Sequence, residues 1–481
     1  MEGGLPAKRL TRDGPAPAIG MVHLGPGAFF RAFNAVYTDA AMQAEGGDWG
    51  IAAVSLRSPT ARDQMAPQGG VYTSCTLAPG GLQAQVIGAV SKLLVAPEDP
   101  GAVVDLMADP KVKIVSLTIT EKGYCHSPAT GRLDLSHPDI AYDLENLATP
   151  RSAMGLICAA LAQRRQAGAG PFTVLSCDNL PANGALTRQM VLDFARSLSP
   201  ELADWIAEAV PFPSTMVDRI TPATTDADID RLDAETGYRD PAMVVHEPFR
   251  QWVIEDNFAC GRPAWEIAGA QFVKSVEAHE LMKLRCLNGT HSTLAYLGYL
   301  AGYDTIAACV ADPDFAALCE ALWRDEILPT VPAPEGEDLP AYAAALLDRY
   351  RNPAIRHRTW QIAMDGSQKL PQRLLGTIRD NLDQGRVPLR LCLAVAAWMR
   401  YVGGVDEKGQ SIDVRDPLAD TLKVASDGAD SAEAKVAALL AFDDIFAPAL
   451  AADPGFRAAV TAAYQALVTD GARAVVAGAV K

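Results

Sequence analysis

The sequence predicts an α/β domain followed by a mainly α-helical domain. In the first half of the chain, short apolar runs alternate with stretches of helical spacing, which is the pattern of parallel strands joined by helical crossovers. Two glycines follow the first apolar run, and beyond about residue 279 helical spacing dominates. We therefore expect one domain in residues 1–278 and a second in residues 279–481.

The strands of the first domain are predicted from four apolar runs. They are IGMVHLG (Ile19–Gly25), WGIAAVSL (Trp49–Leu56), VKIVSLTIT (Val112–Thr120) and FTVLSCDN (Phe172–Asn179). The segments AFFRAFNAVYTDAAMQ and SAMGLICAALAQRRQAG lie between these runs and have helical spacing. Strands and helices in this alternation build a parallel sheet.

Two helices of the second domain show start signals. In DPGF, Asp453 stands at the capping position and Pro454 at the first helical position, as helix starts favour. The apolar face that follows consists of Phe456, Val460, Tyr464 and Leu467. In ADSAEAKVAALLAF, Asp430 and Glu433 have the spacing of a capping box.

Charge and composition argue against several classes of protein. A net charge of −16 over 481 residues argues against a binder of nucleic acid or anionic membranes, because such proteins need basic surfaces. The nine cysteines are scattered without a CxxC pair, so neither disulfides nor a metal site is expected. No apolar run reaches the roughly 18 residues that span a bilayer, and no signal segment is evident. A cytoplasmic protein is predicted.

The glycines of VHLGPGAFFRAF suggest a nucleotide site. Gly25 and Gly27 would let the backbone turn tightly and approach a pyrophosphate at the start of the next helix. Phe30 stands where the third glycine of the full fingerprint would be, so a plain strand–helix turn is the alternative interpretation. The second strand ends with Ser55 and Arg57 instead of an acid, and Arg57 keeps NADP as an alternative to NAD.

The segment ELMKLRCLNGTH sets polar residues into an apolar, helix-like run. At about 100° per residue of an α-helix, its four polar groups share an arc of roughly 140°. They are Glu280, Lys283, Asn288 and His291. Such a stripe is expected on a helix face exposed to water. It is also expected at an active site that oxidises an alcohol. A lysine of lowered pKa accepts the hydroxyl proton, and asparagine N–H groups stabilise the developing alkoxide.

Several long blocks of the sequence resemble the mannitol dehydrogenase family of polyol dehydrogenases and hexuronate reductases. KLRCLNGTH matches the family's K-x4-N-x2-H motif. The other blocks are HLGPGAFFRAF, SLTITEKGY, VLSCDNLPANG, TMVDRITP, EPFRQWVIEDNF and HRTWQIAMDGSQKLPQRLL. The resemblance covers nearly the whole chain. It implies a Rossmann-like NAD-binding domain, a helical substrate domain, metal-independent chemistry on a sugar acid or polyol, and a monomer or weak oligomer.

The resemblance also implies roles for single residues. Lys283 would be the general acid/base, Asn179 and Asn288 would stabilise the oxyanion, His291 would bind the substrate, and Glu280 would relay the proton to solvent. Asp218 and Lys369 would line the substrate site. The expected cofactor contacts are Gly25, Gly27, Phe29, Arg31, Thr120 and Glu121. The family commonly has histidines where Phe30 and Phe33 stand in this chain.

Within the family, HRTWQIAMDGSQKLPQR looks most like the fructuronate reductase branch, which reduces D-fructuronate to D-mannonate with NADH. A uronate carries a carboxylate, so the site should supply a cation. Arg358, Lys369 and Arg373 are candidates by charge. The alternatives are a mannitol- or arabinitol-type polyol dehydrogenase, a tagaturonate reductase and, more distantly, a non-catalytic nucleotide-binding sensor.

Overall fold

The structure is a computed structural model that describes residues 8–78, 80–127 and 130–480. Its contacts divide the chain into two compact units, Met1–Glu277 and Ala278–Lys481, which we call the N-terminal unit and the C-terminal unit. None of the helices in the described ranges combines the length and apolar character that a membrane crossing requires.

The strands belong to the N-terminal unit. In its described residues they are β1 Lys8–Arg9, β2 Ile19–Leu24, β3 Gly50–Ser55, β4 Tyr72–Ala78, β5 Gly81–Ile87, β6 Val90–Val95, β7 Ile114–Leu117, β8 His126–Ser127, β9 Arg132–Leu133, β10 Thr173–Ser176, β11 Thr215–Asp218, β12 Tyr238–Arg239, β13 Val244–His246, β14 Gln251–Glu255 and β15 Gln271–Val273.

A parallel sheet of five strands forms the centre of this unit, in the order β10-β7-β2-β3-β6. The chain starts at β2, builds outward to β3 and β6, and then returns to β7 on the other side of β2. The β2–β7 boundary is therefore a topological switch point, where ligands of such sheets bind beyond the carboxyl ends of the strands. The α/β prediction is confirmed.

The four predicted apolar runs form β2, β3, β7 and β10. Their residues are nearly all buried, as expected for strands covered on both faces. The sequence interpretation missed β6, VSKLLV, which lies at the edge of the sheet and is only partly buried. Two smaller sheets, β11-β14-β15 and β13-β4-β5, complete the described part of the unit together with the two-stranded pairs β1-β12 and β8-β9.

The helices of the N-terminal unit begin with the two that follow the glycine turn. They are α1 Ala28–Ala32, α2 Asn34–Glu45, α3 Thr60–Met65, α4 Pro100–Ala108, α5 Pro138–Glu145, α6 Ala153–Gln166, α7 Asn183–Leu198, α8 Pro200–Ala209 and α9 Asp226–Thr236, with 3₁₀ turns at Ala66–Gln68, Glu121–Tyr124 and Trp265–Ala268. The predicted helix AFFRAFNAVYTDAAMQ is thus present, with a break at Phe33.

Helices make up the C-terminal unit, from α10 onward. They are α10 Glu277–Met282, α11 Thr290–Leu300, α12 Ile306–Val310, α13 Pro313–Ala321, α14 Leu339–Tyr350, α15 Thr359–Ala363, α16 Gly366–Leu370, α17 Gly376–Asp383, α18 Leu389–Val402, α19 Ala419–Asp427, α20 Ala432–Leu440, α21 Pro448–Ala452, α22 Pro454–Asp470 and α23 Ala472–Ala479. π-helical segments are Lys283–Gly289, Leu322–Ile327 and Pro371–Leu375, and Leu328–Thr330 is 3₁₀.

The predicted helix starts of this unit had different outcomes. Asp453 caps α22, because its side chain accepts a hydrogen bond from the Phe456 N–H, and the predicted apolar face of this helix is buried. The expected capping box at α20 is wrong. Ser431, one residue after Asp430, is the cap and accepts a hydrogen bond from the Ala434 N–H.

Candidate active site

The turn after β2 requires a glycine at its first position. Gly25 has φ +95°, and a Cβ atom there would lie 2.2 Å from the Thr118 carbonyl oxygen. The Gly27 N–H donates to the Gly25 carbonyl oxygen at 2.7 Å, and α1 begins at the next residue. The turn therefore brings the end of β2 against the end of β7 and presents backbone N–H groups at a helix start, as a pyrophosphate site needs.

A neutral histidine lies under this turn. The His23 ring is fully buried, lies 2.8 Å from the Ser116 hydroxyl and 2.9 Å from the Thr118 hydroxyl, and stacks on Phe30 at 3.7 Å between ring centroids. Burial lowers the pKa of His23 to about 3. Phe30 is therefore a packing residue of this turn, because its flat apolar ring covers one face of the uncharged imidazole.

Phe33 also packs in the core of the N-terminal unit. Its ring is fully buried and packs near Tyr37 and Trp252, at centroid distances of 5.2 and 5.7 Å. Phe29 stacks on it at 4.9 Å. Phe30 and Phe33, where the resemblance led us to expect histidines, therefore belong to the core.

A cavity of about 990 Å³ opens at the switch point of the sheet. Four of the six predicted cofactor contacts line it, namely Gly25, Gly27, Arg31 and Thr120, and Ser55 and Arg57 line it at the end of β3. Phe29 and Glu121 are not among its lining residues, and Glu121 is exposed. The cavity, the glycine turn and the Arg31 cation together have the chemistry of a dinucleotide cradle.

Two hydrogen bonds fix Arg31 in the wall of this cavity. Its guanidinium donates to the Ala242 carbonyl oxygen, and the Tyr72 hydroxyl donates to the Arg31 carbonyl oxygen at 2.7 Å. Burial lowers the pKa of the Arg31 guanidinium. The cation is thus held near the glycine turn at a fixed place, where it suits an anionic cofactor group.

Asn179 lies in the loop after β10, and Asn183 holds that loop in place. The Asn183 amide donates to the carbonyl oxygens of Asp178 and Thr215, both at 2.9 Å, and accepts from the Thr215 N–H. Thr215 begins β11, and β11 ends at Asp218, which is buried. Sequence reasoning named Asn179 and Asp218 but missed Asn183, whose signal is a second asparagine in the same SCDNLPANG block.

In the C-terminal unit, Lys283 is buried and begins the π-helical segment Lys283–Gly289, and Asn288 is half-buried near its end. The helix runs on through Gly289 into α11, but the assumption of α-helical spacing is wrong here. A π turn bonds residue i to residue i+5, so Lys283 and Asn288 are about one turn of this wider helix apart. An α-helix would separate them by about 140°.

His291 is buried and lies beside a cluster of half-buried cations. Its ring packs on Tyr350 at 4.6 Å and meets the His357 ring edge-on at 4.9 Å. Burial, with His357, Arg349 and Arg373 nearby, lowers the pKa of His291 well below its usual value. Burial, then Arg373, Arg349 and Lys369, lowers the pKa of His357 to about 4. Both imidazoles are therefore neutral at pH 7, and the cations of the cluster are Arg349, Lys369 and Arg373.

Lys369 and Arg373 are one helical turn apart. The Lys369 ammonium donates to the Met364 carbonyl oxygen at 2.6 Å, and burial, with Arg373, lowers its pKa to about 8. Arg373 donates to the Ser292 hydroxyl at 3.2 Å. Its backbone approaches Gly289 so closely that a Cβ there would meet the Arg373 carbonyl oxygen at 2.8 Å. Gly289 thus lets the lysine helix and the arginine segment pack together.

The structure does not bring every predicted residue into this cluster. Arg358 is exposed at the residue just before α15. Glu280 lies on α10, three residues before Lys283. Arg349 and His357 were missed, because neither follows a glycine, a strand end or a helical stripe that would single it out in the sequence.

The described residues contain no group of three or more histidine, cysteine, aspartate or glutamate side chains placed to hold a metal ion. All nine cysteines are free, and eight of them are buried. Burial raises the pKa of the Cys177 thiol, which lies just before the Asn179 loop.

Comparison with known proteins identifies the family. The mannitol dehydrogenase Rossmann domain matches residues 19–267, and the mannitol dehydrogenase C-terminal domain matches residues 275–468. The chain belongs to the mannitol dehydrogenase family. The family resemblance inferred from the motifs is thereby confirmed, and the chain is an oxidoreductase of this family.

Named relatives within the family differ in substrate. The D-mannonate oxidoreductase of Escherichia coli K12 is 48% identical over 99% of both chains. A mannitol 2-dehydrogenase of Phaeosphaeria nodorum is 41% identical over 95% of this chain and 81% of the relative. The solved ternary complex of Pseudomonas fluorescens mannitol 2-dehydrogenase with NAD and D-mannitol is 40% identical, covers 99% of this chain and 97% of that chain, and has a TM-score of 0.84.

Proposed function

We propose that this family member is an NAD-dependent oxidoreductase that reversibly reduces the keto group of a sugar acid, converting D-fructuronate to D-mannonate. The observation that carries the sugar-acid assignment is the cluster of Arg349, Lys369 and Arg373 around the His291–His357 pair. Three cations beside two neutral imidazoles would favour an anionic group. The similarity to a D-mannonate oxidoreductase over nearly the full length of both chains supports the same substrate.

NAD is the proposed cofactor, and the dinucleotide cavity would hold it. Gly25 and Gly27 would present backbone N–H groups to the pyrophosphate, with Arg31 and Thr120 in the same wall. When bound, the nicotinamide supplies or accepts the hydride. Arg57 lines the cavity at the end of β3, where an arginine also suits a 2′-phosphate, so NADP belongs in the assay. The complex of a relative with NAD favours NAD.

In this proposal, Lys283 gives its proton to the carbonyl oxygen during reduction and takes it back during oxidation. Burial disfavours the charged form of a lysine, which moves its proton affinity toward the range that general acid/base catalysis requires. Asn179 and Asn288 donate N–H groups to the developing oxyanion. His291, neutral in its buried surroundings, holds a substrate hydroxyl, and Glu280 passes the proton of Lys283 toward solvent.

A polyol dehydrogenase is the second candidate, because the mannitol 2-dehydrogenases of Phaeosphaeria nodorum and Pseudomonas fluorescens are also similar over most of the chain. A tagaturonate reductase differs only in substrate stereochemistry. The charges of the C-terminal cluster favour an acid over a polyol. They do not distinguish between two uronates of the same charge.

A substrate panel tests the assignment. Fructuronate, tagaturonate, fructose and mannitol are each assayed with NAD(H) and NADP(H), and we expect kcat/KM to be highest for fructuronate with NADH. Equal rates with fructose would refute the sugar-acid assignment. Lys283→Ala should abolish turnover and still bind NADH, whereas Lys423→Ala, at an exposed lysine paired with Asp427, should retain turnover. A non-catalytic sensor would bind the nucleotide without turnover of any substrate.

A further inference from the structure

The loop that follows β7 carries a backbone conformation that threonine rarely adopts. Thr120 has φ 62° and ψ 165°, a region that is essentially restricted to glycine. A β-branched residue stays there only when its surroundings impose the conformation. Thr120 lines the dinucleotide cavity together with Gly25, so this strained peptide forms part of the wall of the proposed cofactor site.

Asp178 supplies the constraint. Its carboxylate accepts hydrogen bonds from the backbone N–H of Ile119 at 3.0 Å and from the backbone N–H of Thr120 at 2.8 Å. The Tyr124 hydroxyl donates to the same carboxylate at 2.8 Å. Asp178 is only 8% exposed, so these charge-assisted hydrogen bonds are made away from water, where they are strong.

The strand order explains why this residue can reach the loop. β10 and β7 are parallel neighbours with Ser176 opposite Leu117, and the Cys177 N–H continues the ladder by donating to the Leu117 carbonyl oxygen. Asp178 then follows at the edge of the sheet where the β7 loop begins. Since Asp178 is not itself among the lining residues of the cavity, it acts on the cavity through the loop.

We propose that Asp178 is a positioning residue for the cofactor. By binding the N–H groups of Ile119 and Thr120 it clamps Thr120 in this positive-φ conformation, so that the cavity keeps the shape in which NAD binds. The carboxylate also stands directly before Asn179, so the same clamp joins the cofactor wall to the loop that carries this candidate oxyanion donor. The inference rests on the proposed function in taking NAD as the ligand.

The test is a double-mutant cycle on NADH affinity, measured by fluorescence titration of the full chain. Asp178→Asn keeps the shape of the side chain but replaces one acceptor oxygen by a donor NH₂ group, and it should weaken NADH binding about tenfold or more. Thr120→Gly removes the need for the clamp, because glycine adopts this conformation without strain. In the Thr120→Gly background, Asp178→Asn should therefore cause a much smaller loss of affinity.

Glu326→Gln is the matched control. Glu326 is a buried carboxylate of the C-terminal unit that accepts two consecutive backbone N–H groups, those of Arg390 at 3.0 Å and Leu391 at 2.8 Å. This variant removes a similar clamp in the other unit, at residues that do not line the dinucleotide cavity. It should lower the melting temperature but leave the NADH affinity unchanged.

Hydrogen–deuterium exchange without cofactor gives a second readout that does not depend on NAD. The N–H groups of Ile119 and Thr120 should exchange slowly in the wild type and fast in Asp178→Asn. If that variant does not fold, Asp178→Glu, which keeps the charge but displaces the carboxylate by one methylene, should show the same two changes.

Equal losses of affinity from Asp178→Asn in both backgrounds would refute the clamp, and so would unchanged exchange at these two N–H groups. A wild-type protein that protects these N–H groups but binds no NADH would refute the proposed function, and the cofactor role of the clamp with it. Wild-type NADH binding together with equal losses in the cycle would refute the clamp alone.

Discussion

Replacing Arg373 by alanine should remove the preference for an acidic substrate that the proposed function predicts. The guanidinium is held beside His291 in the C-terminal unit, donates to the Ser292 hydroxyl, and has its pKa lowered by burial. Arginine has five N–H donors in a planar fork, of which this hydrogen bond uses one. In the proposed complex, other N–H groups of the fork would bind the substrate carboxylate.

The size of the effect follows from the type of hydrogen bond. Hydrogen bonds to a charged group contribute about 1.5–3 kcal/mol each. The contributions of two such hydrogen bonds to one carboxylate are not fully additive. A loss of about 2–4 kcal/mol corresponds to a decrease of roughly 30- to 900-fold in kcat/KM. Fructose has no carboxylate, so its slower reduction should change far less than that of fructuronate.

The assay measures kcat/KM for fructuronate and fructose with NADH in three proteins: the wild type, Arg373→Ala and Arg358→Ala. Arg358 is the matched control, because it is an exposed arginine of the same unit. Arg373→Lys adds a test of geometry, since a lysine keeps the charge but cannot form the planar fork. Thermal melts establish that each variant is folded.

Two results would contradict this reasoning. An Arg373→Ala enzyme that still prefers fructuronate by the wild-type factor would show that the cluster around His291 does not bind the carboxylate. Loss of the preference in Arg358→Ala alone would assign that role to the exposed arginine instead.

Three further outcomes are expected. Lys369 has a pKa of about 8 and is cationic below that pH. KM for fructuronate should therefore rise as the pH passes above about 8, while KM for fructose should not. Parallel pH profiles for the two substrates would contradict this. Gly25→Ala should lower the melting temperature and NADH affinity, because its Cβ would meet the Thr118 carbonyl oxygen at 2.2 Å. Gly27→Ala should keep its melting temperature, because its Cβ would lie 4.0 Å from the Gly25 carbonyl oxygen. Phe33→Ala should lower the free energy of unfolding in urea by about 3–5 kcal/mol, because the ring is fully buried; a loss below about 1 kcal/mol would show that it is not a core residue.

The central sheet was predictable because four of its five strands are almost fully buried. β2, β3, β7 and β10 are nearly continuous apolar runs, and such runs carry a clear signal. β6 lies at the edge and includes Lys92 and Ser91, so its pattern is weaker. The start of α20 was misplaced because Asp430 and Ser431 are both good caps, and only the backbone hydrogen bonds decide between them.

The candidate site was only partly predictable. The residues named by the family motif could be found from the sequence, because the motif fixes their identity. Arg349 and His357 come from separate segments of the C-terminal unit, α14 and the loop before α15, and only the fold brings their charge or ring to His291. The π-helical segment was also unforeseen, since helical periodicity in a sequence does not distinguish a short π stretch from an α-helix.

That π-helical stretch makes the site depend on how one turn is wound as well as on its residues. If Lys283–Gly289 were wound as an α-helix with the same number of residues, Lys283 and Asn288 would be separated by about 140° around the axis. Every functional side chain would still be encoded, but the two side chains would point to different sides of the helix. A homologue with one residue fewer between them would instead hold the pair on one face of an ordinary α-helix, because residues four apart are neighbours there.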